Sequence, residues 1–159
     1  MDISLLLASQ FREVQLNGTW VATNLKTLLE DVTLEEAQIK IGSLNTISDL
    51  AFHINYYISG LTDAIHSEEL TIKDRFSFEY LPFQSEEEWK SFLSKCWADA
   101  EKFAEIIEET NNDKLATFFF QEIYGTYFRN YQCMIEHSYY HLGQIVILKK
   151  LIRESHSLT

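Results

Sequence analysis

With 159 residues the chain has the length of one domain, and 46% hydrophobic content with 14% aromatics is enough to build one substantial core. Thirteen Lys and Arg against twenty-four Asp and Glu leave a net charge of −11, a balance that repels phosphate backbones and anionic lipid and so disfavours nucleic-acid and membrane partners. One Pro and five Gly are too few to punctuate an all-β fold, and two cysteines, Cys96 and Cys133, are too few for a disulfide framework.

In chain order, the first helical pattern runs from Asp2 to Glu30. Leu6, Phe11, Val14, Val21, Leu25, Leu28 and Leu29 recur there at steps of three and four, with Gly18 weakening the middle without ending it. The apolar patch near the start is too short for a signal peptide, and no stretch approaches a membrane span, so the chain is expected to be cytoplasmic. Thr33 and Glu36 stand in capping-box spacing and predict a short helical turn. Asn45 or Thr46 then opens a second helix carrying Ile47, Leu50, Ile54, Tyr57, Ile58, Leu61 and Ile65. The stretch 66–84 reads as a long crossover in which Phe76, Phe78 and Tyr80 alternate too briefly for a sheet.

Ser85 and Glu88 form the capping box of a third helix reaching Thr110, and Glu86, Glu87 and Glu88 suit its N-terminal dipole. A second crossover holds Phe118, Phe119 and Phe120, and a last helix runs from Thr126 to Ile152 with Lys149, Lys150 and Arg153 at its C-terminal end. Four such helices, about 30 to 43 Å long at 1.5 Å per residue, pack naturally as a bundle. The connectors exceed the two to eight residues or so usual between bundle helices, which calls for at least one crossover between parallel neighbours. The expectation is a single all-α domain over residues 1–159.

His137 and His141 lie four apart in HSYYHLGQ, about 40° apart around a helix and one turn above each other, so both imidazoles can reach one point. His53 sits in AFHINYY on the second helix, between Phe52 and Ile54, where a solvated His would be out of place. Three neutral nitrogens converging from two helices would make an open site for Zn²⁺ or Ni²⁺. A lone buried His is ordinarily a core residue bonded to a carbonyl, and an H-x3-H pair is common by chance. The combination is stronger, because three buried imidazoles without partners would leave several polar nitrogens unsatisfied at about 1 to 3 kcal/mol each. His66, in a connector, and His156, in the C-terminal tail, read as solvent-exposed. The Glu-x-x-His pairs of carboxylate-bridged di-iron bundles and the H-E-x-x-H of zincins are both absent, and a haem ligated by His53 and one partner would leave the third His without a task.

The pairing of NTISDLAFH with MIEHSYYHLGQIVILKKL resembles the DinB-like superfamily of metal-binding four-helix bundles. The matching positions are His53, His137, His141, Gly143 and Gln144, while Leu142 stands where the family often carries Arg, which withdraws an anionic-substrate contact from that position. The resemblance implies an up-down-down-up bundle with two long crossovers, often homodimeric, holding Zn²⁺ or Ni²⁺ through the three histidines. It also implies a small-molecule substrate and a low-molecular-weight thiol, since characterised relatives include thiol-dependent transferases and a thiol-dependent isomerase.

A divalent metal on neutral imidazoles keeps its full charge and lowers the pKa of bound water toward about 7, and of a bound thiol likewise. The first favours hydrolysis and the second thiol transfer; a third reading is a non-catalytic metal-binding or dimerisation module. A catalytic site keeps an exchangeable position, whereas a structural one is closed by a fourth protein group such as Cys133. Asp49, four before His53, and Gln144, three after His141, are candidates to accept a ring proton and orient a ligand. Tyr56, Tyr57, Tyr139 and Tyr140 offer phenols but more commonly supply packing area, and Glu136, adjacent to His137, points about 100° away.

Overall fold

The computed structural model describes residues 2–18 and 20–157, and every regular element among them is helical. Helix α1 (Ile3–Arg12) starts at Asp2, whose carboxylate accepts from the Ser4 amide at 3.2 Å. The helix then loosens into a π-helical turn over Glu13–Asn17 and stops. Gly18 therefore ends the first helix, against the expectation of continuity to Glu30. Its amide bonds the Glu13 carbonyl at 2.9 Å, and a Cβ at this position would stand 2.5 Å from Glu13 Cβ, so close an approach admits only glycine. Asn24 ties the break together: its Nδ2 donates to the Gly18 carbonyl, and its Oδ1 caps the short helix α2 (Leu25–Leu29).

Thr33 and Glu36 form the predicted capping box of α3 (Leu34–Gln38). Thr46, rather than Asn45, caps α4 (Ile47–Ser67), whose buried residues Ile47, Leu50, Ala51, Ile54, Ile58 and Leu61 trace one stripe. His66 is exposed, as expected, but lies in the last turn of α4 and not in a connector. The crossover that follows contains a 3-10 turn at Asp74–Phe76 in place of any extended pairing.

Helix α5 (Glu86–Glu109) has only half a capping box. Ser85 Oγ accepts from the Glu88 amide, while the Glu88 carboxylate turns to the Gln84 amide. The second crossover includes α6 (Asn112–Leu115) and one isolated antiparallel bridge between Phe118 and Thr126. Helix α7 (Tyr127–Ser157) runs five residues beyond the predicted end. His156 falls within it, and its side chain lies outside the described residues.

Helix α1 packs along α5, and α4 packs against both α5 and α7. Trp89, Tyr131, Phe11 and Phe103 are the largest fully buried side chains, with Phe103 edge-on to both Phe11 and Tyr131. Each aromatic of this size contributes on the order of 1.5 to 3 kcal/mol by leaving water. The α7 cations fasten the connector after α2: Lys149 reaches the Leu28 carbonyl and Asp31, and Arg153 reaches Asp31 and Glu36. That clamp ties the C-terminal part of α7 to the α2–α3 segment, and α7 packs directly on α4, the other histidine-bearing helix. No helix among the described residues is long and apolar enough to cross a membrane.

Candidate metal centre

His53 points from the buried stripe of α4 toward α7, because its neighbours Leu50 and Ile54 anchor the same side of the helix in the core. His137 and His141 project from consecutive turns of α7, beside the buried Met134, Leu142 and Ile145. The three rings meet. His53 Nε2 lies 3.0 Å from His137 Nε2, and His141 Nε2 lies 2.9 Å from the same atom. Available ligand atoms of all three fall within 4.8 Å of one another, and no other His, Cys, Asp or Glu among the described residues joins them.

Gln144 is brought to this cluster. Its Oε1 accepts from His141 Nδ1 at 2.7 Å, which places the His141 proton on Nδ1 and leaves the Nε2 lone pair facing the other rings. Asp49 is not brought there. One of its oxygens closes the α4 capping box at the Thr46 amide and the other accepts from Tyr80, so the carboxylate is spent on starting the helix. The expected bond from His53 to Asp49 is therefore not made, and His53 Nδ1, like His137 Nδ1, is buried without a hydrogen-bond partner, although the Ser77 backbone and the Asp74 carboxylate lie near enough to His53 to oppose in part the effect of its burial. Cys133, half-buried, stays outside the ligand group, and the exposed Glu136 pairs with Arg129.

Aromatic side chains wall the cluster. Phe78 stacks on His53 at 4.2 Å and 11°, Tyr57 meets His53 and His137 edge-on, and Tyr140 abuts His141 at 4.8 Å. Tyr139 is half-buried away from these ring contacts. Phe78 reaches its place because α4 grips the crossover: Tyr56 donates to the Lys73 carbonyl, and Tyr57 donates to Asp74. Sequence reasoning missed Phe78 and Asp74 as parts of the site. The available signal was the run of aromatics Phe76, Phe78, Tyr80 and Phe83 in the long connector after α4.

Burial holds all three imidazoles neutral. Desolvation lowers each pKa below the ordinary 6.5, assisted at His137 by both neighbouring rings until its value falls to about 4. Neutrality creates a specific conflict. With the His141 Nε2 lone pair fixed by Gln144, His137 can satisfy it only by carrying its own proton on Nε2, and that proton cannot also bridge to His53 at 3.0 Å. One nitrogen is left facing another without a proton between them, and an added proton is opposed by the depressed pKa values. A metal cation removes the conflict by accepting all three lone pairs. Cis ligands about 2.05 Å from one ion lie roughly 2.9 to 3.4 Å apart for octahedral to tetrahedral angles, so the observed 2.9 and 3.0 Å fit a divalent ion. The three-histidine cluster can thus hold a metal ion.

Compared with known proteins, the chain matches no family model, no curated protein and no solved structure.

Proposed function

We propose that the chain is a divalent-metal-dependent enzyme that uses His53, His137 and His141 to hold Zn²⁺ or Ni²⁺ and transfers a small thiol to, or by way of, a small-molecule substrate. The carrying observation is the convergence of three neutral Nε2 atoms from α4 and α7, with Gln144 setting the tautomer of one. Bound there, the metal would supply a full positive charge that favours the ionised form of a thiol or water at neutral pH.

The chain's own residues do the rest. Only three protein ligands are within reach among the described residues, which supports an open centre over one closed by a fourth side chain. Phe78, Tyr57 and Tyr140 supply aromatic walls that favour a substrate with flat or aliphatic surface. The architecture belonging to this reading is the DinB-like up-down-down-up four-helix bundle, with α1, α4, α5 and α7 as its members and the segments after α4 and α5 as its crossovers. A homodimer in the cytoplasm completes it, and Leu5 and Leu6, both about half-exposed on α1, supply apolar surface that a second copy would cover.

Elemental analysis of purified protein tests the centre: one divalent metal per chain is expected, and His141→Ala should lose most of it. Undiminished metal in that variant would end the three-histidine assignment. Incubation of the metal-loaded protein with small thiols and electrophiles should show metal-dependent adduct formation. Uniform inactivity with thiols, together with turnover of ester or amide substrates, would move the assignment to hydrolysis.

A further inference from the structure

A cleft of about 370 Å³ opens beside the metal centre, between the turn that precedes α4 and the outer face of α7. Leu44, Leu50, Ile147 and Leu148 line most of it, Asn45 sits at its edge, and Gln144 reaches it from the side of His141. Its volume lies in the range of small-molecule sites, which run from about 300 to 1,000 Å³. Leu44 and Ile147 are 51% and 58% exposed, so apolar surface at the rim is uncovered.

Gln144 connects this space to the metal centre. Its Oε1 is committed to His141 Nδ1, while its Nε2 makes no hydrogen bond to a described residue. The amide thus offers two N–H donors on the side away from the histidine. Every side chain lining the cleft is uncharged, so neither an anion nor a cation would find a partner there. The complementary ligand is mainly apolar, neutral, and equipped with one strong hydrogen-bond acceptor.

We propose that this cleft binds a small uncharged molecule bearing a carbonyl-type acceptor, held by a hydrogen bond from Gln144 Nε2, and that the molecule strengthens metal binding through the Gln144–His141 bond. Donation by the amide N–H increases the negative charge on its oxygen, which then accepts more strongly from His141 Nδ1 and makes Nε2 a better ligand. Gln144 is in this sense a positioning residue that reports occupancy of the cleft to the metal. The coupling rests on the metal reading above; binding in the cleft does not.

The test uses 4-phenylbutan-2-one as the probe, titrated into ¹⁵N-labelled full-length protein with and without zinc. Saturable shifts are expected at the amides of Leu44, Leu50, Ile147 and Leu148 and at the side-chain amide of Gln144. Gln144→Leu, which removes the donor, should weaken the probe about two- to tenfold, the range of one neutral hydrogen bond. Ile147→Glu, which brings a charge to the rim at an exposed position, should abolish the shifts while the helical circular dichroism is retained. Zinc-loaded protein should bind the probe about twofold more tightly than metal-free protein, and the probe should tighten zinc by the same factor. Shifts that do not saturate, that centre elsewhere, or that survive both substitutions overturn the site. Shifts at these residues that follow protein concentration instead of probe assign the cleft to self-association and also overturn it. Equal affinity with and without zinc overturns the coupling. Probe binding in protein that takes up no zinc would leave the cleft standing and refute only the metal reading.

Discussion

Replacing Gln144 by Leu separates the tautomer argument from simple ligand counting. The substitution keeps most of the side-chain volume and all three histidines, but removes the oxygen that accepts from His141 Nδ1 at 2.7 Å. His141 is 6% exposed, so water does not freely replace that acceptor, and the ring becomes able to carry its proton on Nε2, the form that cannot bind a metal. Partners of this kind typically contribute about 10- to 100-fold in metal affinity, or roughly 1.4 to 2.8 kcal/mol. In metal-free protein the loss is one neutral hydrogen bond, about 0.5 to 1.5 kcal/mol, partly offset by the apolar replacement. Competition titration against a zinc-binding dye at pH 7.5 measures the first quantity, and urea unfolding in the presence of chelator measures the second. Gln144→Glu supplies a stronger acceptor and should retain or raise the affinity. Zinc affinity in Gln144→Leu within about twofold of the native protein would refute the tautomer argument, whatever happens in the histidine variants.

Three other outcomes are expected. Because the folded-state pKa of His137 lies at about 4, below its unfolded value of 6.5, unfolding takes up a proton between these limits. Metal-free stability should therefore be fully present above pH 6.5 and fall as pH drops toward 4, by about 1 to 2 kcal/mol after allowance for solvent screening, and His137→Asn should flatten that dependence in urea midpoints. Gly18→Ala should destabilise the protein by about 1 to 3 kcal/mol in urea unfolding, because its Cβ meets Glu13, yet leave metal stoichiometry unchanged. Phe78→Ala, at a position 42% exposed, should change stability by less than about 1 kcal/mol while weakening zinc severalfold in the dye assay, since it frees the His53 ring; unaltered affinity would show that the stack does not hold the ligand.

Much of the helical layout was legible without coordinates. The box at Thr33 and Glu36 and the Ser85 cap of α5 are contacts spanning three residues, and the i, i+4 placement of His137 and His141 follows from helix pitch alone, whereas the box of Thr46 with Asp49 went unread because Asp49 was assigned to His53. The continuity assumed across Gly18 failed for a different reason. The periodic apolar residues on either side of it are equally consistent with one long helix or two short ones, and the choice depends on how closely Glu13 and Gly18 approach once the chain turns back on the core.

At the site the same division holds. Asp49 and Gln144 were equivalent by spacing, each one turn from a histidine, but an Asp three residues after a Thr at a helix start is claimed by the first turn, and Tyr80 from the crossover takes its other oxygen. Gln144 lies mid-helix, where no backbone amide competes for its oxygen. Residue order alone therefore determined the all-α class, the starts of α3 and α5 and the placing of the histidine pair on one face of α7, because these are interactions within one or two turns. Tertiary packing decided that His53 meets that pair, that Phe78 covers it and that a cleft opens behind Gln144. Those relations join segments about 25 to 105 residues apart, and only the burial of the helix faces against one another sets their distance.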